Sequence, residues 1–170
     1  MQQRFIVIAL LGALFVPAVG FAQFKQGDWE LTLSGTGNTP SDIGSFSFGA
    51  SGSIGLFLAD QLELGLRQSG AYTDVNGSSW NGSTAIFLDY HFDFGAFQPF
   101  IGVNGGYVYG EGVHDTWELA PEGGVKFFVN GTTFIFAMVQ YQFFLEPGSN
   151  IQDEFSHGQF VYSLGIGFKF

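Results

Sequence analysis

The side chains able to do chemistry in this chain are mostly carboxylates. Glu30, Glu63, Asp89, Glu118 and Glu122 sit in segments where apolar and polar residues alternate, and all fall on the polar phase. Arg67, His91, Lys126 and Lys169 share that phase. Glu63 and Arg67 lie four apart, Glu118, Glu122 and Lys126 are spaced by four, and Asp89 and His91 by two. On a strand, even spacings place side chains on one face. Acids and bases gathered on one face of a closed sheet can form a structural polar network, or a gated or proton-linked path. A network that fills a narrow interior is expected here, since a lumen packed by side chains has no room for substrate. No catalytic residue is expected, and the inward acids outnumber Arg67, Lys126 and Lys169.

Composition narrows the function classes. The 170 residues suit one domain, and 15 acidic against 5 basic residues give a net charge of −10. No basic stripe exists to neutralise phosphates, so nucleic acid is not an expected partner. The absence of cysteine removes disulfides, thiolate catalysis and zinc-thiolate sites. His114 and His157 fall in polar segments beside acids, but two histidines from separate loops do not make a metal site, and neither metal nor cofactor is expected. Charged residues are only 12% of the chain and aromatics 18%, so many side chains need a dry environment that a small soluble core cannot supply.

The first residues read as a targeting segment. Arg4 precedes an apolar run from Phe5 to Val16, Pro17 breaks it, and Gly20-Phe21-Ala22 places small residues before a cut at Gln23. The run is too short to span a bilayer as a helix. Residues 1–22 are thus expected to be a cleaved signal peptide and 23–170 the mature domain.

From there the chain alternates with the period of a strand. Phe160, Tyr162, Leu164, Ile166, Phe168 and Phe170 form one face of the last segment, against Val161, Ser163, Gly165, Gly167 and Lys169. About eight such segments follow one another. Three tight turns (58–61, 93–96, 129–132, the last with an Asn-Gly hairpin signal) alternate with four longer polar stretches (37–42, 74–79, 110–115, 146–157). The Asn-Gly-Ser/Thr triplets at Asn76, Asn81 and Asn130 are read as turn and strand-end residues. The predicted fold is all-β, an eight-stranded antiparallel up-and-down transmembrane β-barrel with short turns on the periplasmic side and longer loops outside.

A soluble, lipocalin-like barrel would turn the apolar face inward around a ligand. The polar face decides against it, because it is rich in Gly and Ser, which suit the narrow inside of an eight-stranded barrel. The apolar face also carries two aromatic groups. Trp29, Phe92, Phe94, Phe97 and Phe168 lie at one end, and Tyr72, Trp80, Tyr107, Tyr109, Trp117 and Tyr162 at the other, as membrane interfaces require.

Two segments carry a resemblance: Gln98-Pro99-Phe100-Ile101-Gly102-Val103 with its glycine-rich continuation, and the terminal Tyr162 to Phe170. With the strand rhythm they make the mature chain resemble the small eight-stranded outer-membrane barrels, namely the OmpA transmembrane domain, OmpX/Ail and OmpW. The resemblance implies a bacterial outer-membrane location and, as partners, outer-membrane lipids and lipopolysaccharide. It also implies barrel-assembly machinery that reads Tyr162, Leu164, Ile166, Phe168 and Phe170 as a C-terminal signal, and a monomer. The expected role is non-enzymatic: structural, surface-interaction or limited permeability. A small hydrophobic-solute channel of the OmpW type is one alternative. A lipid-modifying enzyme is another, since Ser156-His157 beside Asp153 and Glu154 invites comparison with the lipid A deacylases and palmitoyltransferases, though their motifs are not clear here.

Overall fold

The computed structural model describes residues 24–40, 47–74, 78–111, 116–145 and 158–170. Eight strands run in chain order: β1 (Trp29–Pro40), β2 (Ser47–Ala59), β3 (Leu62–Asp74), β4 (Ser78–His91), β5 (Phe97–Gly110), β6 (Thr116–Phe128), β7 (Thr133–Leu145) and β8 (Gln159–Lys169). Each pairs antiparallel with the next, and β8 pairs with β1, so the sheet is a closed barrel without an edge. Strands of 11 to 14 residues are long enough to cross a bilayer at a tilt.

The strands extend further than their apolar pattern. Pairing continues through Thr39↔Phe160 and Pro40↔Gln159 on one side and Asp74↔Ser78 on another, into stretches whose polarity reads as loop. Polarity marks where the wall leaves an apolar environment; the ladder needs only backbone groups and runs on. In the tight turn between β6 and β7, Gly131 does not take a left-handed conformation. The turn is held by Asn130, whose side-chain oxygen accepts hydrogen bonds from the Thr132 and Thr133 amides, each at 2.9 Å. Pro121 has no N–H, and the β6–β7 ladder lapses between Leu119↔Phe143 and Glu122↔Gln140.

The outward wall is apolar along every strand. Leu33, Leu66, Ile86, Ile101 and Leu164 stand exposed, Leu164 at 70%. Exposed apolar surface on this scale belongs in hydrocarbon. Tyr72, Trp80, Tyr107, Trp117 and Tyr162 ring the loop end; Trp29, Phe92, Phe94 and Phe97 ring the turn end. Tyr109 packs edge-on to Trp80 in the same girdle, with centroids 6.3 Å apart. Its ring lies over Gly82, and its hydroxyl accepts a hydrogen bond from Gln68 at 2.8 Å, while Thr84 donates to Gln68 at 2.7 Å. The wall's polar exception therefore satisfies itself, as a lipid-facing amide must.

The inward face is not only small and polar. Phe57, Phe87, Phe100, Phe128, Phe134 and Phe136 are all buried there. At the turn end both faces are aromatic, while the inward face of β8 stays small or polar, with Val161 and Ser163 buried. Wall glycines admit these rings: a Cβ on Gly167 would overlap Phe134, and one on Gly65 would overlap Phe87.

Candidate functional site: the barrel lumen

Among the described residues, ionisable groups converge in the lumen, and it is layered. At the turn end Phe24, Phe57, Phe128 and Phe134 form an aromatic floor, with Phe100 and His91 against it. Phe24 and Phe57 stack with centroids 4.0 Å apart, and Phe128 and Phe134 meet at 5.1 Å. Above the floor sits the Lys126 ammonium. It donates to both oxygens of Glu30, at 2.7 and 2.6 Å, and to Glu63 Oε2 at 3.1 Å. Its Nζ lies 5.1 Å from the Phe24 centroid and 5.3 Å from those of Phe100 and Phe134. Carboxylates satisfy the charge while the rings supply cation–π attraction in a dry setting. Glu63 also meets His91 Nε2 at 3.0 Å.

The next layer centres on Arg67 of β3. Its guanidinium grips Glu122 of β6 in a bidentate pair, at 2.6 and 2.9 Å, and donates to Gln140 at 3.2 Å. Asn104 donates its amide to the same carboxylate, and the Phe87 ring lies 4.7 Å from the guanidinium carbon. Toward the loop end the groups become hydroxyls and amides. Ser69 donates to Ser51 at 3.0 Å, and Gln142 donates to Glu118 at 2.8 Å. A cavity of about 90 Å³ lies among them, lined in part by Thr36, Asn81, Glu118 and Gln159. A second, of about 20 Å³, lies between Arg67 and Lys126.

The sequence-predicted residues Glu30, Glu63, Arg67, Asp89, His91, Glu118, Glu122 and Lys126 all point into this lumen. The partnerships run across the barrel, β3 to β6 and β6 to β1, rather than along a strand. Lys169 stands apart from them: it pairs with Asp28 at 3.0 Å at the rim of the turn end. Tyr162, Leu164, Ile166 and Phe170 face outward, and Phe170 shares two backbone hydrogen bonds with Trp29, at 2.9 and 3.2 Å. His114, Asp153, Glu154, Ser156, His157 and Asn76 lie outside the described residues. Asn81 lies on β4, and Asn130 caps its turn.

Candidate ligand atoms of Glu63, Asp89 and His91 lie within 4.8 Å of one another, close enough to hold a cation. The Lys126 ammonium, 3.1 Å from Glu63, already supplies positive charge there and would repel a metal ion. Glu63 and His91 therefore read as part of the ion-pair network.

The reading of types and spacings missed Phe24, Phe57, Phe87, Phe100 and Phe128, and left Gln98 and Asn104, which fall on the polar phase of β5, out of the expected network. Extending the inward phase of each strand would have found all but Phe24, which belongs to no strand.

The layered, side-chain-filled lumen inside an apolar wall defines a class of fold, the small closed barrel of outer-membrane proteins. No protein-family model matches the chain, and no curated protein matches it in sequence. Among solved structures, the outer membrane protein OprG from Pseudomonas aeruginosa matches with a TM-score of 0.66 at 17% identity, over 89% of this chain and 99% of that one. Neisserial surface protein A matches at 0.62 and 13%, over 85% and 96%. Ail of Yersinia pestis matches at 0.56 and 13%, over 85% and 99%. At these identities the likeness is one of fold.

Proposed function

We propose that this chain is a non-enzymatic protein of the bacterial outer membrane, with a structural and surface-interaction role and a lumen that rests closed. The observation that carries the proposal is the pair of charged layers, Lys126–Glu30–Glu63 and Arg67–Glu122, which bridge the barrel above an aromatic floor. Side chains that span the section of an eight-stranded barrel leave no aqueous channel. Its partners are outer-membrane lipids and lipopolysaccharide, and it acts as a monomer. The turns face the periplasm, residues 1–22 are removed on export, and Tyr162, Leu164, Ile166, Phe168 and Phe170 serve as the assembly signal. An OmpW-type channel would need an opening in the wall. Among the described pairings the ladder is irregular at Leu58, at the end of β2, and lapses at Ala120–Pro121, where Ala120 is fully buried, which favours the closed reading.

Planar-bilayer recording on the refolded protein tests this. No stable current on the scale of a general porin is expected, and such a current would overturn the closed lumen. N-terminal sequencing of membrane-extracted protein should begin at Gln23; a chain still starting at Met1 would count against export processing.

A further inference from the structure

Side chains fill the lumen least completely at its loop end, where the cavity of about 90 Å³ rests on the Arg67 layer. Glu118 of β6 is set in the wall of that cavity and is only 3% exposed. The Gln142 amide donates to its carboxylate at 2.8 Å, and Gln159 in turn donates to the Gln142 oxygen at 2.7 Å. The Ser83 hydroxyl donates to the same carboxylate. These partners are all neutral. An ionised carboxylate can accept about four hydrogen bonds, so Glu118 retains capacity for further donors.

Among the described residues no base pairs with Glu118. Lys25 and Lys169 lie at the turn end, and Lys126 lies among the floor rings. Arg67 lines the cavity, but both of its terminal nitrogens are committed to Glu122, which cancels its charge. Glu118 therefore stands as net negative charge beside an enclosed space. The same sign continues beyond it. The strand ends and connections on this side, 37–47, 73–78, 110–116 and 145–159, contain seven acids and no lysine or arginine. Charge of one sign over a cleft concentrates counter-ions at its mouth. The rest of the cavity wall includes Val108, Met138, Phe144 and Val161, which are apolar. A protein cavity of roughly 150 Å³ accepts benzene, or about 25 Å³ per heavy atom, so this one has room for about four.

We propose that this cavity is a dead-end pocket for a primary ammonium group on a short alkyl chain, with Glu118 as its counter-ion. An ammonium supplies both the positive charge and the N–H donors that complement the carboxylate, and the Ser51 and Ser69 hydroxyls of the same cavity can accept from it. About three carbons then lie against Val108, Met138, Phe144 and Val161. A bare inorganic cation would leave that apolar wall uncovered, and a quaternary ammonium would bring no donor. The Arg67–Glu122 pair closes the pocket below, so the ligand enters and leaves by the loop end. That last step rests on the reading of the lumen as closed.

The probe is propylamine, which is protonated at neutral pH. It is titrated into the refolded protein in detergent micelles while the valine methyl groups are followed by NMR. Saturable shifts at Val108 and Val161 are expected, with a dissociation constant of about 1 mM or tighter. Propanol, equal in heavy atoms but uncharged, should give none. Glu118→Gln should weaken the amine by about tenfold or more. Glu111→Gln, which removes one exposed acid of the rim, should change it by less than about threefold. Ser163→Leu adds bulk to the cavity from β8 and leaves Glu118 in place; it should abolish the shifts, so the answer does not hang on the folding of one variant. Equal binding of propanol, binding unchanged in Glu118→Gln or in Ser163→Leu, or the same shifts from potassium chloride at equal concentration overturns the assignment. The titration needs no bilayer, so a porin-scale current would overturn the closed-lumen reading separately, whatever the amine does.

Discussion

The two halves of the lumen solve the same problem in opposite ways. At the turn end, charge is enclosed by rings: Lys126 sits among Phe24, Phe57, Phe100 and Phe134, paired with Glu30 and Glu63. At the loop end, Glu118 lies among Gln142, Gln159 and serine hydroxyls beside a cavity of about 90 Å³. The first arrangement is dry and depends on every partner being present. The second is rich in interchangeable donors and acceptors, and tolerates the loss of one. The same inward carboxylate thus has very different consequences at two heights in one barrel.

That contrast can be broken by mutation, most strongly at the ammonium. Lys126→Ala should strand Glu30 and Glu63 in a dry chamber and cost about 3–5 kcal/mol, read as a shift in urea unfolding in lipid vesicles. A cost below about 1 kcal/mol would mean that water reaches this layer and that the two halves are alike. Phe134→Ala, which hollows the floor, should cost about 3 kcal/mol or somewhat more by the same measurement. On the outer wall, Ile166→Arg should cost about 2–4 kcal/mol near the midplane. Lipid-soluble spin probes should then contact cysteines placed at Leu164 and Ile166 and miss those at Ser163 and Gly165; the reverse periodicity would turn the barrel inside out. The smallest effect is expected at the loop end, where Gln142→Ala should cost only about 0.5–1.5 kcal/mol, because Glu118 keeps other polar neighbours. A loss as large as that of Lys126→Ala would erase the distinction between the halves.

Much of this molecule was legible in its alternation. Period two places Arg67, Glu122 and Lys126 on the inward face, and Leu164 and Ile166 on the outward one, with no further information. The pattern goes silent where both faces are apolar. Phe57 lies between Leu56 and Leu58, Phe87 between Ile86 and Leu88, and Phe128 between Phe127 and Val129, so local contrast cannot mark them as inward. Only the phase carried from Ser53 or Asp89 does. Which acid meets which base was not legible at all. Arg67 reaches Glu122 across the lumen, and that pairing depends on the stagger of β3 against β6, which no single strand encodes. Phe24 was hidden for another reason: it owes its burial to a bend at Gly27 and to no periodic element.

The seam between β1 and β8 bears on how the barrel comes into being. The contact that closes it joins Trp29 to Phe170, near the two extremes of the described chain, while all other strand pairs are sequence neighbours. Seven hairpin pairings can form locally, each closing a short loop. The eighth must gather nearly the whole chain, and carries the largest loss of chain freedom. Until it forms, β1 and β8 both present open ladders inside an apolar bilayer, where unpaired amides and carbonyls are most costly. Closure is therefore the late step on which the rest waits, and an arrested intermediate would be an open sheet with two adhesive margins.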